Sequence, residues 1–145
     1  MEIRRPLENR KRFAIDLVDR IREAVNDPDF LIGSKISLYE GFPGGQGTMG
    51  PDSPVMDLTE SIDLIRTLEA HGCSYILTTC GAPMHTLNLV KPDKADPYIA
   101  YIGQYMQKVC RDNLKPETVV IGGGYSIFRD GKQPNFHAVK PEKTA

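Results

Sequence analysis

Two places in this chain carry groups that could handle an anion. Lys35 lies inside the apolar run Ile32-Gly33-Ser34-Lys35-Ile36-Ser37. An ammonium in a β-rich run either snorkels to water at the strand end or meets negative charge that develops on a bound group. The pattern alone leaves both readings open. Gly122-Gly123-Gly124 closes a second β-rich run, and glycines there let backbone amides approach an anion with no Cβ in the way. No Gly-Lys-Ser/Thr follows, so this is not a nucleotide-binding Walker loop.

The remaining candidates are weaker. Cys73, Cys80 and Cys110 form no CxxC pair, and Cys73 and Cys80 with His71 and His85 match no zinc spacing. They are read as buried small residues, and no metal is expected. Gly41-Phe42-Pro43-Gly44-Gly45-Gln46-Gly47 reads as a flexible loop, either near substrate or a long connection. Tyr39 and Tyr125 fall just past strand ends, where they could flank a planar ligand or be ordinary loop aromatics. His85 and His137 are expected in solvent, and Asp63 and Glu69 on a solvated helix face. No catalytic acid–base pair is assigned.

These residues are held by alternating helices and strands. Ala14, Leu17, Val18, Ile21, Ala24 and Val25 recur at spacings of three and four, predicting a helix over Leu7 to Val25. Asn26-Asp27-Pro28 stops it, and a strand is expected from Leu31 to Ser37. Asp57-Leu58-Thr59-Glu60 is a capping signature that opens a second helix with the stripe Leu58, Ile62, Ile65, Leu68. Gly72 is a suitable left-handed stop, and a strand follows at Ser74 to Thr79. Pro97 opens a third helix that ends near Leu114, and Thr118 to Ile121 is the third strand.

Helix–strand alternation of this kind predicts an α/β fold with parallel strands and right-handed crossovers. The links into strands are short, whereas those leaving strands, Leu38 to Met56 and Cys80 to Asp96, are long. In a β/α barrel those longer loops carry the site. Three strands are too few for a closed eight-stranded barrel and would leave two edges open. An open doubly wound sheet would use more strands as well, so residues 1–145 are read as one incomplete barrel domain.

Composition excludes several function classes. The net charge of −1, with acids and bases interspersed, gives no footprint for nucleic acid. No apolar run approaches the roughly 20 residues that span a bilayer. Met1 to Pro6 lacks the apolar stretch of a secretory signal. A cytoplasmic protein with neither nucleic-acid nor membrane partner is expected.

Leu7-Glu8-Asn9-Arg10-Lys11-Arg12-Phe13, its helix and the Gly33-Ser34-Lys35-Ile36-Ser37 run resemble the old yellow enzyme family of NADH:flavin oxidoreductases, which includes 2,4-dienoyl-CoA reductases. There a Glu-Asn-Arg-x-Arg-Phe segment opens the helix after strand four. The likeness continues through Gly72-Cys73-Ser74-Tyr75-Ile76 as strand six and Val119 to Gly124 as strand seven. It implies a partial (β/α)8 TIM barrel, units five to seven, with FMN as cofactor and NAD(P)H as reductant. The implied substrate is an enone or enoyl small molecule that receives hydride.

By this resemblance Lys35 takes the place of the family's arginine near flavin N1 and O2, and Gly122, Gly123 and Gly124 form half of the phosphate pocket. The family's Gly-Gly-Ser before the glutamate is replaced by Arg4-Arg5-Pro6. Its fourth strand, with the catalytic His pair, and its eighth, with a Gly-Arg phosphate site, are absent. A fragment inactive by itself, prone to self-association through its open edges, is the expectation. The rivals are a non-catalytic assembly module derived from a barrel and another phosphate-binding barrel enzyme.

Overall fold

The apolar spacing of the first segment produces α1 (Leu7–Val25) with the expected bounds. It ends where Asn26 turns to φ 48° and its N–H closes on the Arg22 carbonyl at 3.0 Å. This is the left-handed stop that asparagine tolerates. The computed structural model describes residues 6–90 and 97–123.

β1 (Gly33–Tyr39) begins two residues later than expected. Leu31 is exposed and Ile32 is buried just ahead of the first pair, Gly33 with Tyr75. β4 (Tyr75–Cys80) and β5 (Val119–Gly122) complete a three-stranded parallel sheet in the order β1-β4-β5. Lys35 pairs with Leu77 and Leu77 with Ile121, so the three share one row. The β1–β4 register slips between Ser37 and Tyr39.

α2 (Thr59–Ala70) connects β1 to β4, and α4 (Pro97–Asn113) lies between β4 and β5. The Asp57 carboxylate accepts from the Thr59 hydroxyl at 2.7 Å and the Thr59 N–H at 3.0 Å. Those bonds hold its pKa below the usual carboxylate value. Gly72, at φ 99°, lets the chain turn straight into β4. A one-turn helix, α3 (Leu87–Val90), follows β4.

The segment 38–56 is not a bare connection. It contains β2 (Thr48–Gly50) and β3 (Ser53–Met56), an antiparallel ribbon turning at Pro51 and Asp52. The Gly-Pro-Asp signal for that turn is in the sequence, but strands of three and four residues are too short to show a period.

The three long helices, α1, α2 and α4, use one face of the parallel sheet. Val18 of α1, Ile65 and Leu68 of α2, and Met106 and Cys110 of α4 enclose Ile36, Leu38, Ile76 and Cys80. Leu38 and Ile76 are fully buried, each contributing about 1.5–3 kcal/mol by leaving water. The two-residue period sends Lys35, Ser37, Tyr75, Leu77, Thr79, Val119 and Ile121 to the opposite face. No helix covers that face among the described residues, and Val119 is 55% and Ile121 40% exposed. No helix of the described residues is long and apolar enough to cross a membrane.

α1 is clasped to α2 by charge. Lys11 Nζ reaches Asp63 and Glu8, each at 2.8 Å, and Arg10 reaches Glu60 at 2.5 Å. Asp19 meets His71 at 2.8 Å, and Arg22 donates to the Gly72 carbonyl at 2.7 Å. Two residues expected on a solvated face are therefore engaged. Asp63 holds Lys11, while Glu69 accepts from the Lys115 N–H at 2.8 Å and from the Thr118 hydroxyl. Helical periodicity reports distance from the core, not the partner that a neighbouring segment brings.

Hydrogen bonds to Asp63 and then Glu8 raise the Lys11 pKa above 10.5. A raised folded pKa contributes stability that is complete below the unfolded value and is lost as pH climbs through the folded one. The urea midpoint should therefore differ between wild type and Lys11→Met by a constant amount around neutral pH. That difference should shrink above pH 10.5. A difference unchanged in strong alkali would show that the ammonium is not the stabilising element.

Candidate functional site

Of the residues singled out by sequence, Lys35 stands on the uncovered face of the sheet, and Gly122 and Gly123 stand at the C-terminal end of β5. Lys35 is the third residue of β1, inside the strand rather than at its end, and is exposed on that bare face. No carboxylate pairs with it among the described residues. Its row continues through Leu77 to Ile121, two strand spacings away, which is about 10 Å.

The glycine turn begins one residue beyond this row, where Gly122 pairs with Thr78. The Gly123 N–H donates to the Thr78 carbonyl at 3.0 Å and is thus committed to the sheet. A Cβ at Gly123 would stand 3.0 Å from that carbonyl oxygen and 3.3 Å from Thr79 Cγ2. Gly123 offers close approach but not its own amide. Gly124, Tyr125 and His137 lie outside the described residues. The sheet thus puts Lys35 and the start of the glycine turn on opposite edges, with Leu77 and Thr79 between them.

The loops above these strands are tied together. The Gly81 N–H donates to the Tyr39 carbonyl at 2.8 Å, and the Thr86 hydroxyl donates to the Glu40 carbonyl at 2.6 Å. The Gln46 N–H donates to the Glu40 carboxylate at 2.8 Å, and the Gln46 side chain reaches the Ser61 hydroxyl at 2.9 Å. Residues 41–47, read from glycine content as flexible, form a hydrogen-bonded turn. Phe42 stacks on His85 with ring centroids 4.4 Å apart and planes at 29°. Tyr39 donates to the Pro54 carbonyl at 2.9 Å, which fixes its ring against the ribbon.

One spacing was missed in the sequence. His85-Thr86-Leu87-Asn88 is a His-x-x-Asn motif, here on the turn after β4 and the first residues of α3. Both His85 and Asn88 are exposed. The three-residue spacing itself was the available signal. It sits after a different strand from the one on which the resembled family carries its pair.

The cysteines are all free and buried. Burial pushes the Cys80 thiol up to about 12 and the Cys110 thiol to about 11, and it raises that of Cys73. Such thiols are poor nucleophiles near neutral pH. Among the described residues, no group of three or more His, Cys, Asp or Glu is placed to hold a metal. A groove of about 590 Å³ lies on the helical side, lined by Met49, Met56, Leu58, Ile62, Tyr105 and Val109 among others. None of the sequence-predicted site residues lines it.

Comparison with protein-family models, with curated proteins and with solved structures finds no match.

Proposed function

We propose that this chain forms units five to seven of an FMN-dependent (β/α)8 barrel oxidoreductase, with NAD(P)H as reductant and an enone or enoyl small molecule as hydride acceptor. The observation that carries the reading is Lys35, an ammonium with no carboxylate partner among the described residues, midway along a strand on the sheet face that no described helix covers. An ammonium there is free to face an electron-rich ring edge, where it would stabilise the charge that builds on reduction. The strand order supports it too. Helices confined to one face of sequentially ordered parallel strands make an arc that could close into a barrel.

FMN fits this donor set in part. When bound it would supply two-electron hydride chemistry. Lys35 would hold negative charge at one end of the flavin. Gly122 and Gly123, about 10 Å across the sheet by strand spacing, would admit the phosphate at the reach of a ribityl chain. Leu77 and Thr79 would lie beneath it. Three buried free thiols sit comfortably in a reducing cytoplasm.

The test completes the barrel by supplying strands one to four and strand eight as partner chains, and looks for the flavin band at about 450 nm. In that complex Lys35→Met should lower the flavin midpoint potential, because the reduced form loses its counter-charge. Lys35→Arg should hold or raise it, since guanidinium restores charge with a planar pair of donors. A potential indifferent to Lys35→Met would remove the residue from the flavin site and leave the proposal without its support.

A further inference from the structure

We propose that the free edge of β1, roofed by the apolar flank of α1, is a docking site for the free β5 edge of a second copy of this chain. Copies then join head to tail. This goes beyond unspecific pairing of open edges, and it rests on the sheet geometry rather than on the flavin reading.

The acceptor surface starts with the position of α1. Its contacts run to α2, through Lys11, Arg10, Asp19 and Arg22. α2 in turn packs Ile65 and Leu68 over β1 and β4. α1 therefore lies beyond α2, on the side where β1 has no neighbour among the described strands. A crossover helix placed there is a roof over a strand position that no described strand fills. Its outward flank is apolar: Phe13 is 76% and Leu17 48% exposed, one turn apart, with Leu31 67% exposed at the foot of β1.

The donor surface is at the other end of the same sheet. The Val119 and Gly123 N–H groups donate to β4, at the Ser74 and Thr78 carbonyls. By strand alternation, the Val120 N–H between them points to the outer edge, which no described strand fills. The Val120 side chain lies on the helix-covered face, where it is half-buried against the core. β5 and β1 run in the same direction. Docking β5 of one copy beside β1 of the next therefore continues a parallel sheet, with Val120 beneath Phe13 and Leu17 of the neighbour. Exposed Arg20 on the α1 flank and exposed Glu117 at the foot of β5 bring opposite charges to the junction.

A strand pair plus these exposed side chains buries an area on the order of 1,000 Å², the size a specific interface needs. The contact is heterologous, so every open assembly keeps one free donor at one end and one free acceptor at the other. The three described strands of the parallel sheet do not divide the eight of a closed barrel. Growth beyond a dimer follows.

The experiment is sedimentation velocity on the full chain and two variants. Val120→Pro removes the outward N–H and spares the β4 ladder. Phe13→Glu with Leu17→Glu charges the α1 flank at exposed positions. Wild type should form species that grow with concentration, and each variant alone should stay monomeric. An equimolar mixture of the two should give dimers and nothing larger, because only one junction remains intact. If Val120→Pro loses helical circular dichroism, Val120→Lys, which puts a charge beneath Phe13 and Leu17 of the neighbour at a half-buried position and leaves the β4 ladder intact, takes its place. A monomeric wild type, a closed wild-type dimer, variants that associate like wild type, or a mixture that stays monomeric would each overturn the pairing.

Discussion

Purified alone, the 145-residue chain is expected to carry no stoichiometric FMN and to leave NADH unconsumed with an enone acceptor. The bare face presents Lys35, Leu77, Thr79 and Ile121 to solvent from only three strands. A flavin laid there would be covered on one side only. Losing roughly half the contacts, at about 0.3 kcal/mol per ligand atom, removes several kcal/mol. Each 1.4 kcal/mol is tenfold in affinity, so binding weaker by about a thousandfold or more is expected. The Gly123 N–H is also committed to Thr78, which leaves the phosphate fewer donors. His85 and Asn88 have the spacing to polarise a carbonyl, but both are exposed, and His85 stacks on Phe42. Flavin content by absorbance and NADH oxidation with cyclohexenone give the readouts. A monomer with tightly bound FMN and steady turnover would refute the idea.

The largest stability effect should come from Gly47→Ala. Gly47 sits at φ 72°, and a Cβ there would stand 2.1 Å from the Leu38 carbonyl oxygen and 3.1 Å from Tyr39 Cα. The left-handed conformation alone costs a non-glycine residue about 1–2 kcal/mol. Relief of the clash has to move backbone, because the obstacle is not the tip of a flexible side chain. Leu38 cannot move freely: its side chain is fully buried, and its carbonyl accepts from the Ser61 hydroxyl at 2.8 Å. The Gly47 carbonyl in turn accepts from the Asp57 N–H at 2.9 Å, at the start of the segment that caps α2. Several kcal/mol out of a total of about 5–15 should at least halve the urea midpoint or abolish a cooperative transition. Gly44→Ala is the control. Its φ is 79°, but its nearest new contact is an ordinary 3.5 Å, so a loss of about 1–2 kcal/mol is expected. Equal losses at the two positions would mean that strain, and not the Leu38 contact, governs this loop.

The chain's local patterns settled the three long helices and the three parallel strands but not the short β2, β3 and α3. Spacings of three and four bounded α1 at Leu7 and Val25, Gly72 marked the turn into β4, and Pro97 opened α4. These signals are readable because each depends on residues within a turn or two of one another. Lys35 was conspicuous for the same reason, as one charge in an apolar run. The tertiary structure decided what local pattern does not contain. Strand order and register placed Lys35 in a row with Leu77 and Ile121 and turned that row away from the helices. Packing gave Asp63 and Glu69 partners about 50 residues away in sequence. It also spent the Gly123 amide on Thr78 and organised residues 41–47 around Glu40 and Leu38. Each of these outcomes joins groups far apart along the chain, so the energy that selects them exists only after the chain has closed on itself.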